Sequence, residues 1–297
     1  MIFIDLENFS PSDDWSYEAW QLTKELIVKA TLEDKFKFIE DNKAFWGKLK
    51  SELPFSMKCW YSESRESVSV YEIEHFRPTK AVCRSSSVFK ILKPVREAVR
   101  KDWLKETKYK GIGYWWLAFD YLNYRNCGKK INMKKGIRFP LIENSFIAYN
   151  NTDNHHNEVA TLLDPTNRKD PALLTFDPDG KARPTLLDKS DIDYIRAYVS
   201  IEVYGLNSIE TLVKHREGRW SEYYKAIRRA GKKYSELENA SSEGNFIIFN
   251  EVFQDFMDFV DNDLKPAISS QAEFSAVAKA CLLSYSSFEW INEYVLN

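Results

Sequence analysis

The sequence predicts an α+β protein, mostly α, in which a small mixed centre lies between helical flanks. Three observations predict it. Helical periodicity fills the first 55 residues or so and returns from about Leu187. Between these stretches the texture changes to alternating residues punctuated by proline and glycine. With 297 residues, 44% of them hydrophobic and 15% aromatic, the chain has the apolar content of a packed protein and not of a disordered one. The expected organisation is an N-terminal helical segment over 1–55, a core over 56–185 and a C-terminal helical region over 186–297.

Local signals account for each element. Ser12-Asp13-Asp14 reads as a helix start, with Trp15, Trp20, Leu26 and Ile27 near one face. A second helix is expected from Leu32 to about Leu53, before Pro54. In Met57–Phe76, Val68, Val70, Tyr71 and Ile73 have alternating polar neighbours, which suits a hairpin or short strands, and Pro78 closes it. Val88–Lys108 is amphipathic and basic, hence helical, and Tyr114–Asn123 reads as an aromatic-rich helix. Gly128, Gly136 and Pro140 punctuate the next stretch, and the prolines and Asn/Asp residues of Ile142–Arg183 give loops with short strands. Trp220–Leu237, Phe246–Val260 and Phe274–Leu296 return to helix. There is no internal repeat and no low-complexity segment.

Several classes are excluded or disfavoured. No apolar run approaches the roughly 20 residues of a membrane-spanning helix. Met1–Phe9 carries Asp5 and Glu7 and no basic residue, so no secretory signal is expected. Cys59, Cys83, Cys127 and Cys281 lie too far apart for a disulfide framework, which favours a reducing, cytoplasmic setting. P-loop, dinucleotide-fingerprint and nucleophile-elbow patterns are missing. The net charge of −2 conceals an asymmetry. Between Arg77 and Arg138 there are 17 Lys and Arg against four acids, a net of +13, which leaves −15 for the rest. Such a block points to a polyanion such as nucleic acid.

The chemistry concentrates at Ile73-Glu74-His75-Phe76-Arg77-Pro78. Glu74 can offer oxygen to a hard cation, and a neutral His75 can take a proton from water. Consecutive strand residues point to opposite faces, so both serve one centre only where the strand ends or bulges. Asn132 is a further neutral oxygen ligand, and Lys135, one helical turn on, can meet phosphate. His155, His156 and Glu158 lie together in a polar loop, where they offer a further ligand set or phosphate contact as well as a plain exposed loop.

This arrangement resembles the HNH nucleases, which share a ββα-metal fold. Within them it is most similar to the anti-phage nuclease subunit of the Septu type, also found with certain retrons. The matching blocks are Ile73–Pro78; Tyr114-Trp115-Trp116-Leu117-Ala118 with Leu122-Asn123-Tyr124; Asn132-Met-Lys-Lys135 with Phe139-Pro140-Leu141; Leu162-Leu163-Asp164-Pro165 with Leu174-Thr-Phe176 and Gly180; and Ile201-Glu-Val-Tyr204-Gly205-Leu206-Asn207 with Leu212 and Arg216. The resemblance implies His75 as the general base, Glu74 and Asn132 as ligands of Mg²⁺ or Mn²⁺, and Asn123 as the asparagine that pins the loop carrying the histidine. It further implies DNA as substrate, with RNA as the alternative, Arg77 and Lys135 as nucleic-acid contacts, and an ABC-type ATPase subunit as partner. A decayed, non-catalytic binding subunit is the competing reading. The two Cys-x-x-Cys pairs of many relatives are incomplete here, with Ser62 three residues after Cys59 and Cys127 out of register, so structural zinc is not expected. Activity is expected to fall as pH drops through the histidine range.

Overall fold

The structure, a computed structural model, describes residues 1–65, 71–84, 111–244 and 246–296. It is helix-rich with small sheets, as an α+β, mostly α chain requires. The described residues form two compact units, Met1–Leu174 with Arg183–Ile209, and Thr175–Ala182 with Glu210–Asn297. The division falls at residue 209, beyond the 185 read from the sequence, because the helix at Ile192–Val203 belongs to the first unit. No described helix is long and apolar enough to cross a membrane.

The first unit opens with α1 (Asp13–Val28), capped by Ser12, whose hydroxyl accepts from the Trp15 amide. α2 (Leu32–Asp41) is capped in the same way by Thr31. The helix expected to reach Leu53 stops at Asp41, and a short α3 (Ala44–Lys48) comes next. At the break the Asn42 side chain and amide both donate to the Phe38 carbonyl, at 2.8 and 3.1 Å.

The centre of this unit is a two-stranded antiparallel sheet. β1 (Glu72–His75) pairs with the distant Tyr124–Cys127 strand, His75 opposite Tyr124 and Glu74 opposite Arg125. Between them in the chain lie β2 (Ala81–Val82) and β3 (Gly111–Ile112), which pair with each other, so Tyr124–Cys127 is β4. α4 (Lys129–Lys135) comes directly after β4. Of the hairpin or short strands expected within 57–76, the described residues hold one short strand, β1, whose partner is the distant β4; Val68 and Val70 lie outside the described residues. So does the basic segment Val88–Lys108. Tyr114–Asn123 forms two 3-10 turns, Trp115–Leu117 and Tyr121–Asn123, in place of the one helix expected. Asp120 sets the second turn by accepting from the Leu122 amide at 2.9 Å.

Aromatic rings fill the space around the sheet. Phe139 packs edge-on against Phe76 and Tyr114, with centroids 5.2 and 5.6 Å away. Trp15 stacks on Phe45 at 4.7 Å. β5 (Leu174–Phe176) and β6 (Ala182–Pro184) form the third small sheet, and α5 is Ile192–Val203. In the second unit the long α6 (Glu210–Ser242) is packed by α7 (Phe246–Phe259), which runs into a π-helical turn at Val260–Leu264, and by α9 (Ser275–Leu283), after the single turn α8 (Lys265–Ile268). Within it Phe256, Trp290 and Tyr294 make a ring cluster.

Candidate active site

His75 ends β1, and its ring lies between Trp46, 4.5 Å away, and Tyr124, 5.1 Å away, both edge-on. Its Nε2 is 3.0 Å from the Ala118 carbonyl oxygen. A carbonyl only accepts, so Nε2 carries the proton and Nδ1 is left with its lone pair. Among the described residues Nδ1 has no hydrogen-bond partner. Burial pushes the His75 pKa down to about 4, against the smaller raising effects of the Ala118 carbonyl and Glu74. The imidazole is therefore neutral throughout the ordinary histidine range, and the expected fall in activity moves from that range to near pH 4.

Asn123 fixes the chain just beyond the histidine. Its Oδ1 accepts from the Arg77 amide at 2.8 Å. Its Nδ2 donates to the Arg77 and Leu117 carbonyls at 3.0 and 3.3 Å. A backbone bond from the Phe76 amide to the Asn123 carbonyl, 2.9 Å, adds a further tie between the two segments. From the other side Gly113 closes on the same loop. A Cβ there would stand 2.5 Å from the Pro78 oxygen, so only glycine fits without a backbone shift.

Glu74 does not share a face with His75. β1 runs in register through His75 with no bulge, so the two consecutive side chains alternate. Glu74 is 3% exposed; one oxygen accepts from the Tyr61 hydroxyl at 2.7 Å and the other is ion-paired with Lys135. The Lys135 ammonium also donates to the His75 carbonyl at 3.0 Å. This corrects the expectation for Lys135: its side chain is buried in an ion pair and offers nothing to phosphate. Asn132, one turn earlier on α4, donates its amide to Glu72 at 2.7 Å. Both oxygens of Glu74 are thus engaged and Asn132 serves as a donor. The Lys135 ammonium stands on one Glu74 oxygen and the Asn132 amide is turned to Glu72, so in this conformation the two are not brought together as a cation site. Among the described residues no group of three or more His, Cys, Asp or Glu side chains is placed to hold a metal.

The remaining sequence-predicted residues have internal partners. Glu158 accepts from the Tyr114 hydroxyl at 2.8 Å and the Ala148 amide at 2.9 Å, and Arg77 reaches it at 3.4 Å. It is a buried acceptor and not an open ligand. Arg77 also donates to the His155 carbonyl at 3.3 Å and lies over the Phe139 ring. The His155 ring leans on His156 at 4.1 Å, and burial together with Arg77 lowers its pKa to about 4. Arg77, Asn123, His155 and His156 line a cleft of about 600 Å³ that also holds Arg125 and Arg168 and the carboxylates of Asp5, Glu7, Asp120 and Asp164. His75 is not among the residues lining it.

Cys59 and Cys127 are both buried with their sulfurs in hydrogen-bond contact. Burial raises the Cys59 pKa, but hydrogen bonds from Cys127, Gly128 and Ser62 outweigh it and hold the thiol below its usual range. Two partners escaped the reading of the sequence. Tyr61, which holds Glu74, packs on Tyr204 at 4.3 Å. Arg125, opposite Glu74, makes a two-pronged bond to Asp164 at 2.7 and 2.6 Å. Asp164 and Tyr204 thus lie next to residues of the β1–β4 pair and its surroundings. No family model, no curated protein and no solved structure matches the chain.

Proposed function

We propose that the chain is an HNH-type endonuclease that hydrolyses phosphodiester bonds, DNA first among substrates. The observation that carries this reading is the frame around His75. An antiparallel strand pair leads straight into a helix, the histidine ends the first strand, and Asn123 holds the backbone just after it by three side-chain hydrogen bonds. The chain's own contribution to hydrolysis is proton transfer. His75 Nδ1, uncharged above a pH of about 4, takes the proton of a water attacking phosphorus, while the Ala118 carbonyl fixes the ring through Nε2. Asn123 and Gly113 are positioning residues. The role in anti-phage defence and the ABC-type ATPase partner rest on the resemblance alone.

The closed Glu74–Lys135 pair favours a second reading, a binding subunit that keeps the strand pair without the activity. Cleavage of supercoiled plasmid with Mg²⁺ or Mn²⁺, wild type against His75→Ala, separates the two. The nuclease reading expects nicking that disappears in the variant. Equal nicking in both, or none in either with DNA and RNA alike, rejects it.

A further inference from the structure

In the second unit, the stretch of α6 between Glu222 and Glu236 has five basic residues and no acid. Four of them, Lys225, Arg228, Arg229 and Lys232, follow the spacing i, i+3, i+4, i+7 and so share one face of the helix. All four are exposed, and none makes an ion pair with a carboxylate among the described residues. Their neighbours Arg219 and Lys233 do, with Glu222 at 3.7 Å and Asp255 at 3.1 Å. The stripe therefore holds like charges one turn apart with no carboxylate to offset them, an arrangement that weakens a helix on its own. An aromatic file runs beside it. Tyr224 stacks on Tyr285 with centroids 5.5 Å apart, and Tyr285 stacks on Phe288 at 6.3 Å with planes 2° from parallel. Arg228 reaches the Tyr224 hydroxyl at 3.5 Å, which joins the cations and the rings into one surface. Phe288, the last ring of the file, is 50% exposed.

We infer that this surface binds single-stranded nucleic acid, with phosphates along the α6 stripe and unpaired bases on the aromatic file. Such a strand needs both parts: a line of positive charge tracks its backbone, and every base has a π-face to stack. A duplex keeps its base faces inside its own stack, so the rings select the single strand. An anionic membrane fits less well, because α6 exposes no large apolar side chain to bury in lipid. An acidic protein would meet the cations but has no use for parallel rings. The acids nearest in sequence, Glu222, Glu236 and Glu289, flank the stripe and the last ring and do not interrupt them. Phosphates and base faces are common to DNA and RNA, so strands of either sugar are expected to bind. The inference concerns the second unit and does not depend on proton transfer at His75; it holds for a nuclease and for a binding subunit alike.

The test is fluorescence anisotropy of a labelled oligothymidylate of about 20 nucleotides, long enough for such a site, with the full-length protein in EDTA so that no cleavage intervenes. Wild type is compared with Lys225→Gln/Arg228→Gln/Arg229→Gln/Lys232→Gln and with Phe288→Leu, and melting curves confirm folding. The four exposed substitutions are expected to weaken binding roughly tenfold or more. They should also make the plot of log affinity against log salt shallower by about 3, since each single-strand phosphate contact contributes about 0.7. Phe288→Leu keeps the apolar bulk without the ring; it is expected to weaken binding roughly fivefold or more and to leave the salt slope unchanged. Wild-type protein that does not bind the strand overturns the inference. So does a folded variant of either kind that binds it as tightly as wild type, and should one variant fail to fold, the other decides. Competition fixes the class of ligand. Unlabelled oligouridylate is expected to displace the probe, whereas duplex DNA of the same length, polyglutamate and phosphatidylserine vesicles are expected to displace it poorly. Displacement by any of these three as readily as by the unlabelled strand overturns the inference too. Plasmid cleavage is scored separately, so absence of nuclease activity and absence of strand binding are distinct results.

Discussion

Replacing Asn123 with alanine removes three hydrogen bonds at a side chain only 6% exposed. The Arg77 amide, the Arg77 carbonyl and the Leu117 carbonyl lose their partner together. Each neutral bond contributes about 1 kcal/mol net, and leaving a buried group unpaired costs about 1–3 kcal/mol. Part of the vacated space admits water on the Arg77 side, where the cleft opens. The expected loss is therefore about 3 kcal/mol, the lower end of the roughly 3–9 kcal/mol for three such groups. In a unit of this size that lowers the melting temperature by about 6–12 °C. Urea unfolding measures the energy, and amide hydrogen exchange at Arg77 locates it, because that amide should lose its protection first. Asn123→Asp sharpens the test. It keeps an acceptor for the Arg77 amide but faces two carbonyls with oxygen, so it should destabilise at least as much as alanine. An Asn123→Ala protein within about 0.5 kcal/mol of wild type, with Arg77 exchange unchanged, would refute the argument that this side chain holds the segment after His75.

Other expectations rest on single contacts. The folded-state pKa of His75, about 4, lies below the ordinary 6.5, so the unfolded chain binds more protons between these values. The stabilisation is complete above pH 6.5 and is lost as pH falls through about 4; it amounts to about 3 kcal/mol and should be missing from the pH dependence of urea unfolding in His75→Gln. In Arg125→Met the Asp164 carboxylate loses its two-pronged partner in the interior, which should cost about 3–5 kcal/mol by urea titration; a loss under about 1 kcal/mol would show the pair to be dispensable. Gly113→Ala forces a Cβ into the Pro78 carbonyl and should lower stability by about 1–3 kcal/mol in thermal unfolding, with plasmid cleavage falling as well.

Local features are legible in the sequence and distant ones are hidden. The start of α1 is readable because Ser12 and two aspartates announce it, and the structure places the Ser12 cap there. Pro78 marks the end of β1 for the same reason, since proline cannot continue the pairing. The partner strand is not readable. Tyr124–Cys127 carries Arg and Asn side by side, and what makes it a strand is His75 and its neighbours far back in the chain. The ion pairs escape notice by the same principle. Glu74 and Lys135 each suggest an external partner, a metal and a phosphate, but opposite charges far apart in sequence find each other in the interior. Alternation along a strand already warns that Glu74 and His75 need a break to cooperate, and the regular register shows that β1 provides none. The aromatic stretch after Tyr114 has the composition of a helix, but Asp120 recruits the Leu122 amide and divides it into two turns.

The pairing of β1 with β4 also sets an order of events during synthesis. His75 and Tyr124 meet only after a loop of about 48 residues closes, an entropic cost of about 3 kcal/mol. Asn123 and the whole of α4 are translated after β1. At about 5–20 residues per second, the ribosome needs about 3–12 s to go from His75 to Lys135. For that interval the emerging polypeptide carries the imidazole without its anchor or its neighbouring strand, and Glu74 without its counter-charge, so a growing or truncated chain that stops short of α4 has the histidine but no centre around it.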